Sequence, residues 1–81
     1  MAKYRTWSVI RDGRIAVVAE LNPWGELSLY RPRYMGADGW ELEPDWGYYP
    51  NCKPQDVFRI LRRWAGGRIV SGIPRLPLEK E

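Results

Sequence analysis

Histidine is missing from this chain altogether, and cysteine occurs once, at Cys52. Without His, neither a Ser–His nor a Cys–His nucleophile pair can be assembled, and a histidine-ligated metal site is excluded. A single cysteine allows no intramolecular disulfide, whereas a secreted domain of this size usually carries several. A lone thiol among apolar rings, with only Lys53 nearby to lower its pKa, reads as a small core residue. Hydroxyl side chains are also scarce, at three Ser and one Thr. Gly66-Gly67 follows a helical pattern, whereas a phosphate-cradling loop precedes one. The expectation is a protein with no catalytic group, no cofactor and no metal.

Long hydrophobic runs are absent too. The longest, Ile15 to Ala19, is far short of a bilayer span. Met1-Ala2-Lys3-Tyr4-Arg5 carries charge with no apolar stretch behind it, unlike a signal peptide. These features predict a cytoplasmic protein with no membrane partner. Arg outnumbers Lys ten to three, a bias that suits a GC-rich coding genome such as that of a bacterium or its phage.

Positive charge is absent from one stretch. Residues 34–52 hold Asp38, Glu41, Glu43 and Asp45 and no basic side chain. Residues 1–33 carry six basic and three acidic side chains, and residues 53–81 carry seven and three. The chain is therefore basic, then acidic, then basic, and each block can present its own field.

What is abundant is indole. Five Trp and five Tyr among 81 residues supply much of the burial that one small domain needs. Tyr4 to Ile10 reads as a strand with Trp7 and Val9 on one face, and Asp12-Gly13 signals a hairpin. In Arg14 to Leu21, Ile15, Val17, Ala19 and Leu21 alternate with Arg14, Ala16, Val18 and Glu20, giving one wholly apolar face. Asn22-Pro23-Trp24-Gly25 is turn chemistry. Glu26 to Arg31 makes a third strand with Leu27 and Leu29 inward, ended by Pro32. After a turn at residues 36–39, Trp40 to Glu43 reads as a short fourth strand, with Trp40 and Leu42 inward. Residues 44–52 read as an irregular packed loop.

The one helix is expected at about 54–65. Pro54 suits its first position, Gly66-Gly67 ends it, and Val57, Ile60, Leu61 and Trp64 form a core-facing stripe with Phe58 beside it. Residues 68–73 add a short final strand. The predicted fold is α+β: a three- to four-stranded antiparallel β-meander packed against one C-terminal α-helix. It forms a single domain over 1–73, and 74–81 is a flexible tail.

Binding features follow from this frame. Arg59, Arg62 and Arg63 share the solvent side of the helix, where guanidinium forks can grip carboxylates or phosphates. Solubility alone explains such a face about as well. Asp38, Glu41, Glu43 and Asp45 with Trp46 form an acidic amphipathic segment, and with Tyr48-Tyr49 as further anchors it can occupy a basic groove on a partner or pair with the arginine helix of its own chain. Glu41 and Glu43, about 7 Å apart on one strand face, have the spacing of a glycosidase pair, but so short a chain leaves little material for a cleft. Trp24 at a turn tip and Tyr30 beside Arg31 and Arg33 are candidate contact residues, or else lids on the core. Pro74-Arg75-Leu76-Pro77 matches a common proline-recognition pattern.

The expected function is a small non-catalytic protein-binding module acting as a regulator or inhibitor, of the kind a phage directs at a host nucleic-acid-handling defence complex. The alternative is a nucleic-acid binder that uses the arginine helix and the sheet arginines Arg11, Arg14, Arg31 and Arg33. A sugar-binding module with Trp platforms would more naturally be exported. A homodimer is compatible with any of these.

Overall fold

The computed structural model describes residues 3–32, 35–36, 39–40 and 47–79. Strand β1 (Arg5–Arg11) turns into β2 (Arg14–Leu21), and β3 (Leu27–Tyr30) continues the meander. Among the described residues, two short strands, β4 (Met35–Gly36) and β5 (Gly39–Trp40), pair with each other alone. Strand β6 (Gly47–Tyr49) is followed by one 3-10 turn (Pro54–Asp56), helix α1 (Val57–Trp64) and β7 (Arg68–Ser71). The main sheet is antiparallel with strand order β6-β3-β2-β1-β7. The α+β class holds, with five strands in the sheet.

Of the two edge strands, the one at residues 47–49 is unexpected and the one within residues 68–73 was expected. Residues 47–49, expected within a loop, pair with β3 through Leu27↔Tyr49 and Leu29↔Gly47. Of the strand expected at Trp40–Glu43, Trp40 belongs to β5, which pairs with β4, and Glu41 to Glu43 lie outside the described residues. At the other edge, β7 pairs with β1 from Trp7↔Ser71 to Ile10↔Arg68.

Local chemistry explains the turns. Asp12 and Gly13 both take positive φ, at 53° and 72°, which matches a two-residue hairpin turn to the strand twist. In the next turn, the Asn22 side-chain oxygen accepts hydrogen bonds from the backbone N–H groups of Trp24 and Glu26 at 3.0 and 2.9 Å. An Asx turn of this kind holds the loop from within.

One irregularity decides how the layers form. Val9 stands opposite Val17 but Ile10 stands opposite Ile15, so β2 carries Ala16 as an extra residue. Such a bulge reverses the in–out alternation on one side of itself. Strict alternation put Ile15 with Val17. In the structure Ala16, Val17, Ala19 and Leu21 face the helix, while Ile15 and Val18 face the other way.

The sheet is therefore covered on both sides. On the inner side, Trp7, Val9, Val17, Leu27 and Leu29 pack against Val57, Ile60 and Leu61 of α1. The expected helical stripe forms this contact. On the outer side, Ile10, Ile15 and Val18 are covered by Leu78, with Tyr30, Val70 and Ile73 around them. Within the segment expected as a loose tail, Leu78 is buried and forms a parallel bridge with Ile15. The reason is the bulge, which places an isoleucine on a face that alternation left partly polar.

Candidate partner-binding surface

Helix α1 is fixed before it presents anything. Trp64, at its last turn, lies against Gly47 so closely that a Cβ there would stand 2.2 Å from the ring carbon Cζ2. The Trp64 indole N–H donates to the Tyr49 hydroxyl at 3.2 Å. The Arg31 guanidinium stacks 4.7 Å from the ring centroid and donates to the Trp64 carbonyl at 2.8 Å. At the other end, the Cys52 N–H donates to the Gly25 carbonyl at 2.8 Å, joining the start of the helical segment to the β2–β3 turn.

The side of α1 away from the sheet carries Phe58, Arg59, Arg62 and Arg63, all exposed. Phe58 and Arg62 are one turn apart, as are Arg59 and Arg63, so the four side chains form one patch. Arg59 donates to the Asp56 carboxylate at 3.2 Å, an exposed pairing of small energy. Arg62 and Arg63 form no ion pair among the described residues. Both lie in the last turn, where positive charge suits the helix dipole, so part of their role is helix stability. An aromatic ring left 43% exposed beside them is not explained by that role.

Trp24 is 74% exposed at its turn. It is an outward ring and not a lid on the core, on a turn whose backbone is tied to the Asn22 side chain. Tyr48 is also exposed, and its hydroxyl donates to the Glu26 carboxylate, which Asn22 meets from the other side at 2.7 Å. These two bonds, Tyr48 first, hold the Glu26 carboxyl below its usual range, while the same bond pushes the Tyr48 phenol up. The expected Tyr48-Tyr49 pair is thus split: Tyr48 points to solvent and Tyr49 reaches Trp64.

Tyr30 is placed differently from Trp24. It packs against the outer cluster, and burial, followed by the nearby Glu20 charge, raises its phenol pKa. Asp38, Glu41, Glu43, Asp45 and Trp46 lie outside the described residues, as does Arg33. Three of the sheet arginines are engaged within the chain. Arg11 makes two bonds to Glu79, Arg14 donates to the Leu78 carbonyl at 3.2 Å, and Arg31 lies on Trp64. Cys52 is buried, and desolvation, reinforced by Asp56, pushes its thiol up.

Sequence reasoning missed the exposure of Phe58 and the contact between the tail and β2. The first had a signal, since Phe58 falls off the i, i+3, i+4 stripe. The second had a fainter one in Ala16 and Val18, two apolar residues on a face that alternation assigned to solvent. No group of three or more potential metal ligands occurs among the described residues, and no helix there is long and apolar enough to cross a membrane. Compared with protein-family models, curated proteins and solved structures, the chain shows no significant match to any of them.

Proposed function

We propose that this chain is a small non-catalytic protein-binding module whose contact surface is the outward face of α1, and that it acts as a regulator or inhibitor by occupying an acidic surface on another protein. The observation that carries the reading is the patch of Phe58, Arg59, Arg62 and Arg63, exposed on a helix whose other side is anchored to the sheet. An exposed ring among guanidinium groups has the composition of interface hot spots, where Arg and aromatic anchors dominate the energy. A helix clamped at both ends loses little entropy on binding. Trp24 offers a second exposed ring, next to Gly25, whose carbonyl holds the Cys52 N–H ahead of the helical segment. The small size and the separated charge blocks suit an inhibitor of the kind a phage directs at a host nucleic-acid-handling complex, and action in the cytoplasm belongs to the same reading.

The rival reading, a nucleic-acid binder, loses part of its support because Arg11, Arg14 and Arg31 are taken up within the chain. It keeps the three helix arginines. A tagged pulldown from bacterial lysate with and without nuclease separates the two. The expected result is a stoichiometric protein partner that survives nuclease. Arg62→Glu with Arg63→Glu is expected to weaken its capture by about 2 kcal/mol or more, with an unchanged circular dichroism spectrum. Partners that vanish with nuclease, and retention on DNA that falls steeply with salt, would put nucleic acid first. Full capture by the doubly reversed variant would remove the helix face from the proposal.

A further inference from the structure

Among the described residues, strand β3 pairs with β2 only from Val18 to Leu21. Farther along β2, at Ile15, the neighbour is the chain's own C-terminal segment. The Ile15 N–H donates to the Pro77 carbonyl at 2.9 Å, and the Glu79 N–H donates to the Ile15 carbonyl at 2.8 Å. Between these bonds Leu78 enters the apolar cluster of Ile10, Ile15 and Val18. Arg11 then holds the Glu79 carboxylate through Nε at 2.8 Å and Nη2 at 2.5 Å. Backbone pairing, one apolar socket and one bidentate charge clamp together make a recognition site for an extended Leu–acid segment, in the manner of strand addition at a sheet edge.

The arm that delivers this segment is short and lightly held. Its root is fixed, since the Gly72 N–H donates to the Thr6 carbonyl and its own carbonyl accepts from the Ser8 hydroxyl at 2.7 Å. Beyond that, Arg75 and Leu76 are exposed, and one turn bond, Leu76 N–H to Pro74 carbonyl at 3.0 Å, folds the arm back.

We propose that this groove is also the interface between two copies of the chain, in which the Pro77–Glu79 segment of each copy seats in the groove of the other. Donor and acceptor belong to the same chain, so the contacts made between copies are those made within one. The balance is then set by the arm and by concentration. Pro74 and Pro77 stiffen the arm, and short stiff hinges favour exchange between copies over folding back. This interface is separate from the helix face and does not rest on the function proposed for it.

A charge exchange tests the idea on the full chain. Arg11→Glu and Glu79→Arg alter partly exposed side chains, and each variant alone has mismatched charges both within a copy and between copies. Mixed one to one, only the reciprocally exchanged heterodimer matches both grooves. Sedimentation equilibrium is expected to give a mixed association constant about tenfold above that of either variant alone. A monomer in every sample at millimolar protein, or equal association mixed and unmixed, overturns the proposal. Should either variant lose its circular dichroism spectrum, the wild-type chain is used with a peptide of residues 73–81. A millimolar dimer that the peptide dissociates supports the exchange; a monomer, or a dimer indifferent to the peptide, overturns it.

Discussion

The two faces of the sheet are both apolar and both covered, but the covers differ in kind. On the inner face a helix brings Val57, Ile60 and Leu61 as one rigid stripe, and Trp64 locks its end. On the outer face a few tail residues bring a single leucine. Docking the tail gains about 2 kcal/mol from Leu78 and roughly 1 kcal/mol from each of two backbone bonds, while the solvent-screened ion pair adds little. Ordering three residues costs about 3–6 kcal/mol, so the balance lies near zero. Equal burial of a side chain therefore does not mean equal contribution: what matters is whether the element carrying it stays in place when the side chain is cut.

The sharpest way to break that comparison is to truncate one leucine on each face. Leu61 and Leu78 are 0% and 1% exposed. Leu61→Ala is expected to lower the urea unfolding free energy by about 3 kcal/mol, because the anchored helix cannot close the cavity. Leu78→Ala is expected to cost about 1 kcal/mol or less, since the tail can leave and the loss stops at its docking energy. Equal losses would mean that the tail is as integral to the fold as the helix.

A smaller effect tests the lock on the helix itself. Gly47→Ala places a methyl group against the Trp64 ring and is expected to cost about 2 kcal/mol, with a shift in Trp fluorescence. A variant as stable as wild type would mean that β6 and α1 part easily. The smallest effect belongs to the surface pair Tyr48–Glu26. The Glu26 pKa is lowered in the fold, chiefly by Tyr48, so the stability it adds is present above the unfolded value and lost as pH falls through the folded one. The melting temperature of wild type is expected to exceed that of Tyr48→Phe at neutral pH, with the gap closing in acid below about pH 4. A gap that persists there would assign the difference to packing.

Much of the fold was legible where a local rule acts alone. Asp12-Gly13, the Asn22 turn, the helix and its stripe all follow from short-range chemistry. The strand at residues 47–49 was not legible, because a glycine and two tyrosines between prolines look like a loop until Trp64 and Leu27 stand beside them. Ile15 was misassigned for a related reason: a bulge leaves no mark in an alternating apolar run, since either residue of the doubled pair is acceptable inside. The arginine patch could be read from helical periodicity, but the exposure of Trp24 could not, because turn residues at 22–25 do not say which way its ring faces. The capture of Arg11 and Arg14 by residues 78–79 depended on contacts between the two ends of the chain, which no local pattern encodes.

The pairing of β1 with β7 carries a consequence for how the chain is made. Ser8 and Gly72, hydrogen-bonded in the finished sheet, are 64 residues apart. A ribosome adding about 5–20 residues per second takes roughly three to thirteen seconds to cover that distance. During this interval the hairpin of β1 and β2 can form, but the other edge of β1 lacks its partner strand. Trp7 and Val9 meanwhile lack the helix that covers them. Non-local closure of this kind folds slowly and exposes bare edges to other chains. A nascent chain stalled before Arg68 therefore holds an open apolar strand ready to pair with its neighbours on the same message.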